Sequence, residues 1–175
     1  MAPPPRFSPL VRRWIIGSIV AAIALVVWIV VDQLFLSPTT INGCRIEPNA
    51  NCSYANLTGE DLTGSNVSGS EFYRSVLIGT IMVDIDASGA RFYQSRLSGA
   101  DLSGGDFSNA QFFDANFTDA VLVGANFSGA DLRYADFTGA DLTGANLSGA
   151  NDEEMVLDGA VLDGTTLPDG TVVGG

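Results

Sequence analysis

Carboxylates are the only abundant groups in this sequence that could move protons. Its 175 residues hold 20 Asp and Glu against 8 Arg, with no His and no Lys. Two pairs stand out by spacing: Asp86 with Asp106, twenty residues apart, and Asp61 with Asp101, forty apart. Facing carboxyls are the machinery of glycoside hydrolysis, provided the two are held at a fixed separation beside a bound sugar. The other reactive groups are Cys44 and Cys52. Two thiolates cannot complete a zinc site, so they form a disulfide or remain as two unpaired buried thiols. Without His and Lys the chain lacks an imidazole base, a Schiff-base amine and a phosphate-binding lysine. A net charge of −12 argues against binding nucleic acid through its phosphates. A 46% hydrophobic content with only 16% charged residues argues against a disordered acidic tail.

The elements that would position these groups announce themselves as a repeat. From Ala55 the text reads ANLTG EDLTG SNVSG, and later ANFSG ADLRY ADFTG ADLTG ANLSG. Apolar centres fall at 57, 62, 67 and every fifth residue to 172, and they are Leu, Phe, Val or Met except at Ala87 and Asp152. Fifteen of the 20 glycines stand two places after a centre. A period of five is neither helical nor that of a long strand, so each unit is a short extended side followed by a corner. The centre and the small residue two before it point inward. Asp or Asn, Ser or Thr, and Gly face outward or turn, and Gly suits corners that need positive φ. Asp152 cannot lie in the stack as a free charge, which predicts a local bulge in ANDEEM, with the register resuming at Leu157, Leu162 and Leu167. Leu167-Pro168-Asp169-Gly170 reads as a terminating turn.

Over residues 50–174 this pattern resembles the pentapeptide-repeat family, whose motif is Ala, Asp or Asn, Leu or Phe, then two variable residues. The resemblance implies an all-β fold, a right-handed quadrilateral β-helix with four pentapeptides per square coil. About six coils would form a rod roughly 29 Å long at the usual strand spacing. The carboxylate pairs then lie one or two coils apart on a convex surface that offers no pocket to exclude water. They are read as solvated motif positions, and the chain as a non-enzyme without cofactor or metal. Cys44 and Cys52 fall at the amino-terminal end, where a disulfide would staple the first coil.

With four repeats per coil, residues twenty apart share a column. Three columns have mostly Gly corners. The fourth, Cys52, Phe72, Phe92, Phe112, Leu132, Asp152 and Val172, has the corners Tyr54, Arg74, Gln94, Asp114, Tyr134 and Glu154. Bulky residues follow its centres: Tyr73, Tyr93, Phe113 and Arg133, with Arg91 and Arg96 at the edge. Tyr and Arg are enriched at protein interfaces, so Tyr54, Tyr73, Arg74, Tyr93, Arg96, Phe113, Arg133 and Tyr134 are the candidate partner-binding residues. The competing reading is an outer aromatic ladder that supports a second turn type, which the loss of Gly suggests independently.

Trp14 to Val31 is an uncharged run of 18 residues, extended by Leu34-Phe35-Leu36. As a helix over 14–36 it would reach about 34 Å, enough to cross a hydrocarbon core. A signal peptide is the alternative, but its apolar region is shorter and no small-x-small site follows. Residues 1–13 then form a cytoplasmic tail, because Arg6, Arg12 and Arg13 outweigh the other flank. Residues 37–51 form a linker and cap, and 52–175 the β-helix in the periplasm or a thylakoid lumen. Gly17 with Ala21, and Ser18 with Ala22, give small-xxx-small spacing for helix packing.

These features together suggest a membrane-anchored structural or assembly subunit. It would contact the lipid bilayer and other membrane protein subunits, in a cyanobacterial photosynthetic complex if family analogy holds. The alternative from the same family is an acidic rod that mimics DNA and binds a topoisomerase such as DNA gyrase. The −14 of residues 37–175 suits that alternative, and the anchor opposes it.

Overall fold

The computed structural model describes residues 39–174. The expected tail (1–13) and membrane helix (14–36), with Gly17, Ser18, Ala21 and Ala22, lie outside the described residues. Among the described residues no helix is long and apolar enough to cross a membrane.

The described chain opens with a small hairpin of β1 (Thr40–Ile41) and β2 (Cys44–Arg45), paired antiparallel. Its two-residue turn, Asn42-Gly43, has positive φ at both positions, as a tight hairpin turn requires. Cys44 and Cys52 are joined as a disulfide with Cα atoms 4.7 Å apart, tying the hairpin to the first coil.

From Asn49 to Gly149 each five-residue unit repeats one set of hydrogen bonds. The Cys52 amide donates to the Glu71 carbonyl (2.7 Å), the Tyr54 amide to Tyr73 (2.8 Å), and the Ala55 amide back to Cys52 (3.0 Å). The first two bonds link successive coils, and the third closes a turn. Parallel bridges join residues twenty apart from Asn51↔Glu71 to Asn146↔Thr166. Twenty residues therefore make one square coil, and the centres from Cys52 to Leu167 make six.

Centres and the small residues two before them fill the interior, from Leu57 and Val67 at 0% exposure to Leu147 at 0%. Phenylalanines stack up their columns at strand spacing: Phe72 on Phe92 at 4.6 Å, Phe92 on Phe112 at 4.8 Å and Phe117 on Phe137 at 4.5 Å. Neighbouring columns meet edge to face, as Phe107 and Phe112 do at 64°, and so do opposite columns across the interior, as Phe117 and Phe127 do at 88°. Where Ser or Thr takes the small inward position it finds a carbonyl. Thr80 donates to Leu57 (2.8 Å) and Thr165 to Leu142 (2.6 Å), as buried hydroxyls must.

The exceptions in the centre pattern have different explanations. Ala87 is small because Ile85, two residues earlier, is large and buried. One coil on the sizes reverse, with Gly105 under Phe107: a methyl on Gly105 would sit 2.6 Å from the Phe107 ring and 3.1 Å from Ile85.

Asp152 corrects the expectation of a bulge. The ladder passes through it in register, with Asn151 bridged to Asp131 and the Met155 amide donating to Asp152 (3.0 Å). Its charge is tolerated because it is exposed in the last described coil, with no described residue stacked above it. The register also stops short of Val172. After Leu167 the chain turns back, so that Thr166 pairs antiparallel with Val172, which is 54% exposed. The terminating turn lies at 167–170, closed by the Gly170 amide on Leu167 (2.9 Å).

Candidate partner-binding face

The corners bear on one part of the competing reading of the fourth column, the second turn type. Every residue numbered in 4 or 9 from Asn49 to Gly164 has positive φ, on all four sides of the coil. Tyr54 (61°), Arg74 (52°), Gln94 (55°), Asp114 (56°), Tyr134 (60°) and Glu154 (55°) adopt the same backbone as the glycines. Among the described coils there is no second turn type. The loss of Gly on this face is therefore not a geometric necessity.

It carries a cost. A left-handed conformation costs a residue with a Cβ roughly 1–2 kcal/mol, less for Asn and Asp. On the other three sides the non-glycine corners are Asn49, Asp84, Asn109 and Asp119, the types that tolerate this region. Asp84 also leans its carboxylate over the next corner, Gly104, where a Cβ would meet it at 2.4 Å. Tyr, Arg, Gln and Glu occupy corners only in the fourth column.

Their side chains form two clusters joined by a polar ladder. Tyr54 meets Tyr73 edge to face at 5.4 Å, and the Arg74 guanidinium lies 5.2 Å from the Tyr73 ring. Further along, Phe113 packs between Tyr93 (6.4 Å) and Tyr134 (5.2 Å), with Arg133 5.4 Å from its ring. Arg74 donates to Gln94 (2.7 Å), and Gln94 donates to Asp114 (3.0 Å). The Tyr93 hydroxyl donates to Gln111, and Arg91 pairs with Glu71. Tyr54 is 67% exposed and Tyr134 45%, so the clusters end in open rings.

Arg133 forks onto both oxygens of Asp131 at 2.8 and 2.7 Å. That side-chain hydrogen bond holds the Asp131 carboxyl below its ordinary pKa, and the guanidinium is raised in turn. Arg96 is the one candidate that the structure sets apart. It stands on the adjacent side, in the ladder Val76–Arg96–Asn116, and touches the face only along its edge.

The carboxylate pairs are occupied otherwise. Asp61 accepts from the Thr63 amide (2.9 Å), Asp86 from Ser88 (3.1 Å), Asp101 from Ser103 (3.1 Å) and Asp106 from Ser108 (3.0 Å). Each closes an Asx turn onto the residue two ahead. The hydroxyl and then the amide of Thr63 lower the Asp61 pKa, opposite to the direction a general acid needs. These positions are more than solvated. The recurring pair of Asp or Asn followed two residues later by Ser or Thr is the signal in the sequence that marks the turn. A second surface feature also escapes the sequence reading. Ile81, Val121 and Val161, 41%, 38% and 49% exposed, alternate with Asp101 and Asp141 up one ladder.

An uninterrupted square solenoid of five-residue units defines a class of protein. The family described as pentapeptide repeats (8 copies) matches over residues 49–82, 70–109 and 110–149, and the chain belongs to it. The family implies the right-handed sense of the β-helix. Among solved structures the chain is similar to HetL, a pentapeptide repeat protein involved in heterocyst differentiation regulation from the cyanobacterium Nostoc. The identity is 26%, over 71% of this chain and 75% of that one, with a TM-score of 0.34. It is similar also to a pentapeptide repeat protein from the Arabidopsis thaliana thylakoid lumen, at 33% identity over 53% of this chain and 68% of that one, TM-score 0.34. QnrB1, a plasmid-mediated fluoroquinolone resistance protein, matches at 24% over 66% and 78%, TM-score 0.27. No curated protein matches the chain.

Proposed function

We propose that this protein is a non-catalytic assembly subunit whose fourth face docks on a partner protein. One observation carries the reading: corners on that face keep Tyr, Arg, Gln and Glu in a backbone conformation that favours glycine, while the other sides use Gly, Asn or Asp. Glycine would supply the same backbone without that cost, and the contacts these side chains make lie on the outside of the coil, away from the core. Strain kept where the core does not need it marks a functional surface. Exposed tyrosine rings beside arginine are the chemistry of protein interfaces.

The amino-terminal apolar run supports a membrane tether with the solenoid on the far side of the bilayer from Arg6, Arg12 and Arg13. In that reading the partner is another subunit of a membrane complex, facing the periplasm or a thylakoid lumen. The DNA-mimic alternative is weaker, because Arg91–Glu71 and Arg133–Asp131 interrupt the acidity on the side that is most distinctive.

The test replaces Tyr73→Ser, Tyr93→Ser and Phe113→Ser together, followed by gentle detergent extraction and co-purification. We expect the circular dichroism spectrum to be kept and the co-purifying partner to be lost. Unchanged assembly in a folded triple variant would sink the reading, as would recovery of the unaltered protein as a lone monomer.

A further inference from the structure

The two ends of the solenoid are finished differently. At the start, the β1–β2 hairpin and the Cys44–Cys52 disulfide lie over the first coil. At the other end, the returning segment covers one side only. There Leu167 donates to Thr171 (2.7 Å), Gly164 to Val173 (2.9 Å) and Val173 to Thr165 (2.9 Å).

In each lower coil the amides of centre and corner donate to carbonyls of the coil above, as Leu132 does to Asn151 (2.8 Å) and Phe137 to Val156 (2.9 Å). Among the described residues the equivalent amides of Asp152, Glu154, Leu157, Gly159 and Leu162 have no backbone acceptor. The carbonyls of Ala150, Met155 and Ala160 have no donor there. Among the described residues nothing covers the core beneath them. Leu157 and Leu162 are only half-buried, whereas Phe137 and Leu142 one coil below are at 0% exposure. Such a row of unpaired backbone groups beside apolar side chains is a template for strand addition.

Charge selects what can be added. Arg133 is the last cation in the sequence. After it come Asp136, Asp141, Asp152, Glu153, Glu154, Asp158, Asp163 and Asp169. A second copy stacked end to end would bring two such rims together and be repelled. We propose that this end of the solenoid takes up an extended, basic segment of a partner polypeptide. The segment continues the ladder over the sides of Asp152, Leu157 and Leu162. Its apolar residues cover the open core, and its cations face the acidic rim. This site shares only the last unit of the fourth column, Asp152 to Glu154, with the aromatic face. It rests on the open backbone ladder at the end of the solenoid, so the peptide test and the Tyr73, Tyr93 and Phe113 test can fail independently.

The probe is a synthetic peptide one coil long, four repeats of Ala-Arg-Leu-Ser-Gly, with Ala-Asp-Leu-Ser-Gly repeats as the acidic twin. Both are added to the full-length protein, and amide hydrogen exchange is followed. With the basic peptide at about ten times its Kd, the amides of Leu157, Gly159 and Leu162 should exchange roughly tenfold more slowly. The acidic twin should leave them unchanged. Replacing Glu153→Lys, Glu154→Lys and Asp158→Lys, all at exposed positions, should keep the fold and reverse the preference. Three outcomes overturn the proposal: no protection by either peptide, equal protection by both, or protection that grows with protein concentration alone. The last would mean that a second copy is the occupant.

Discussion

At the residue scale, the corner positions show how backbone and side chain compete. Gly124 has φ of 67° and open space where a Cβ would go, so Gly124→Ala should cost about 1–2 kcal/mol from conformation alone. Glu154 is the mirror case, an exposed residue at φ 55° in the last coil. Glu154→Gly should raise stability by up to about 1 kcal/mol. Urea midpoints of the two variants check both signs. The Asx turns give a pH dependence. Hydrogen bonds from Thr63, Arg133, Thr143 and Thr171 lower the pKa of Asp61, Asp131, Asp141 and Asp169 respectively. A carboxyl that ionises more readily when folded adds stability above its unfolded pKa, near 3.9. That stability is lost as pH falls through the lower folded value. The urea midpoint should therefore hold above about pH 5 and drop towards pH 2. Thr143→Val should move the Asp141 titration back up, as read by carboxyl NMR shifts.

At the element scale, the five-residue unit was legible because its three demands each leave a mark in the residue types. An inward centre, a small residue two before it and a left-handed corner appear as Leu or Phe, Ala, and Gly. Where sequence and structure part, a neighbour elsewhere in the stack has intervened. Asp152 looks impossible beside Leu132 and is acceptable because it is exposed, with no described residue above it. Ala87 looks like a hole and is filled by Ile85 from the same coil. The disappearance of Gly from one column suggests a new turn, yet the turn is unchanged, since φ alone cannot be read from residue type when side-chain contacts compensate. The Ile85–Gly105 pairing has its own test. Gly105→Ala places a methyl 2.6 Å from Phe107 and 3.1 Å from Ile85 and should cost about 1–3 kcal/mol in thermal or chemical unfolding. Adding Ile85→Val should recover part of the loss.

At the scale of the whole solenoid, surface and core are governed by different periods. The core repeats every five residues, so any side of the coil serves as well as another. The aromatic face repeats every twenty, because only residues one full coil apart share a column. The sequence of such a molecule thus carries two nested periods, one of five residues for the core and one of twenty for the face. Removing one pentapeptide, such as 115–119, leaves every later centre inward but rotates everything beyond it by a quarter turn. Arg133 and Tyr134 would leave the company of Phe113 for a neighbouring side. Such a deletion should melt within a few degrees of the parent and yet abolish the docking proposed for this face, and removing a further fifteen residues to complete the coil should restore the alignment of what remains. Growth or loss by whole coils keeps the face in line, whereas growth or loss by single units scrambles it.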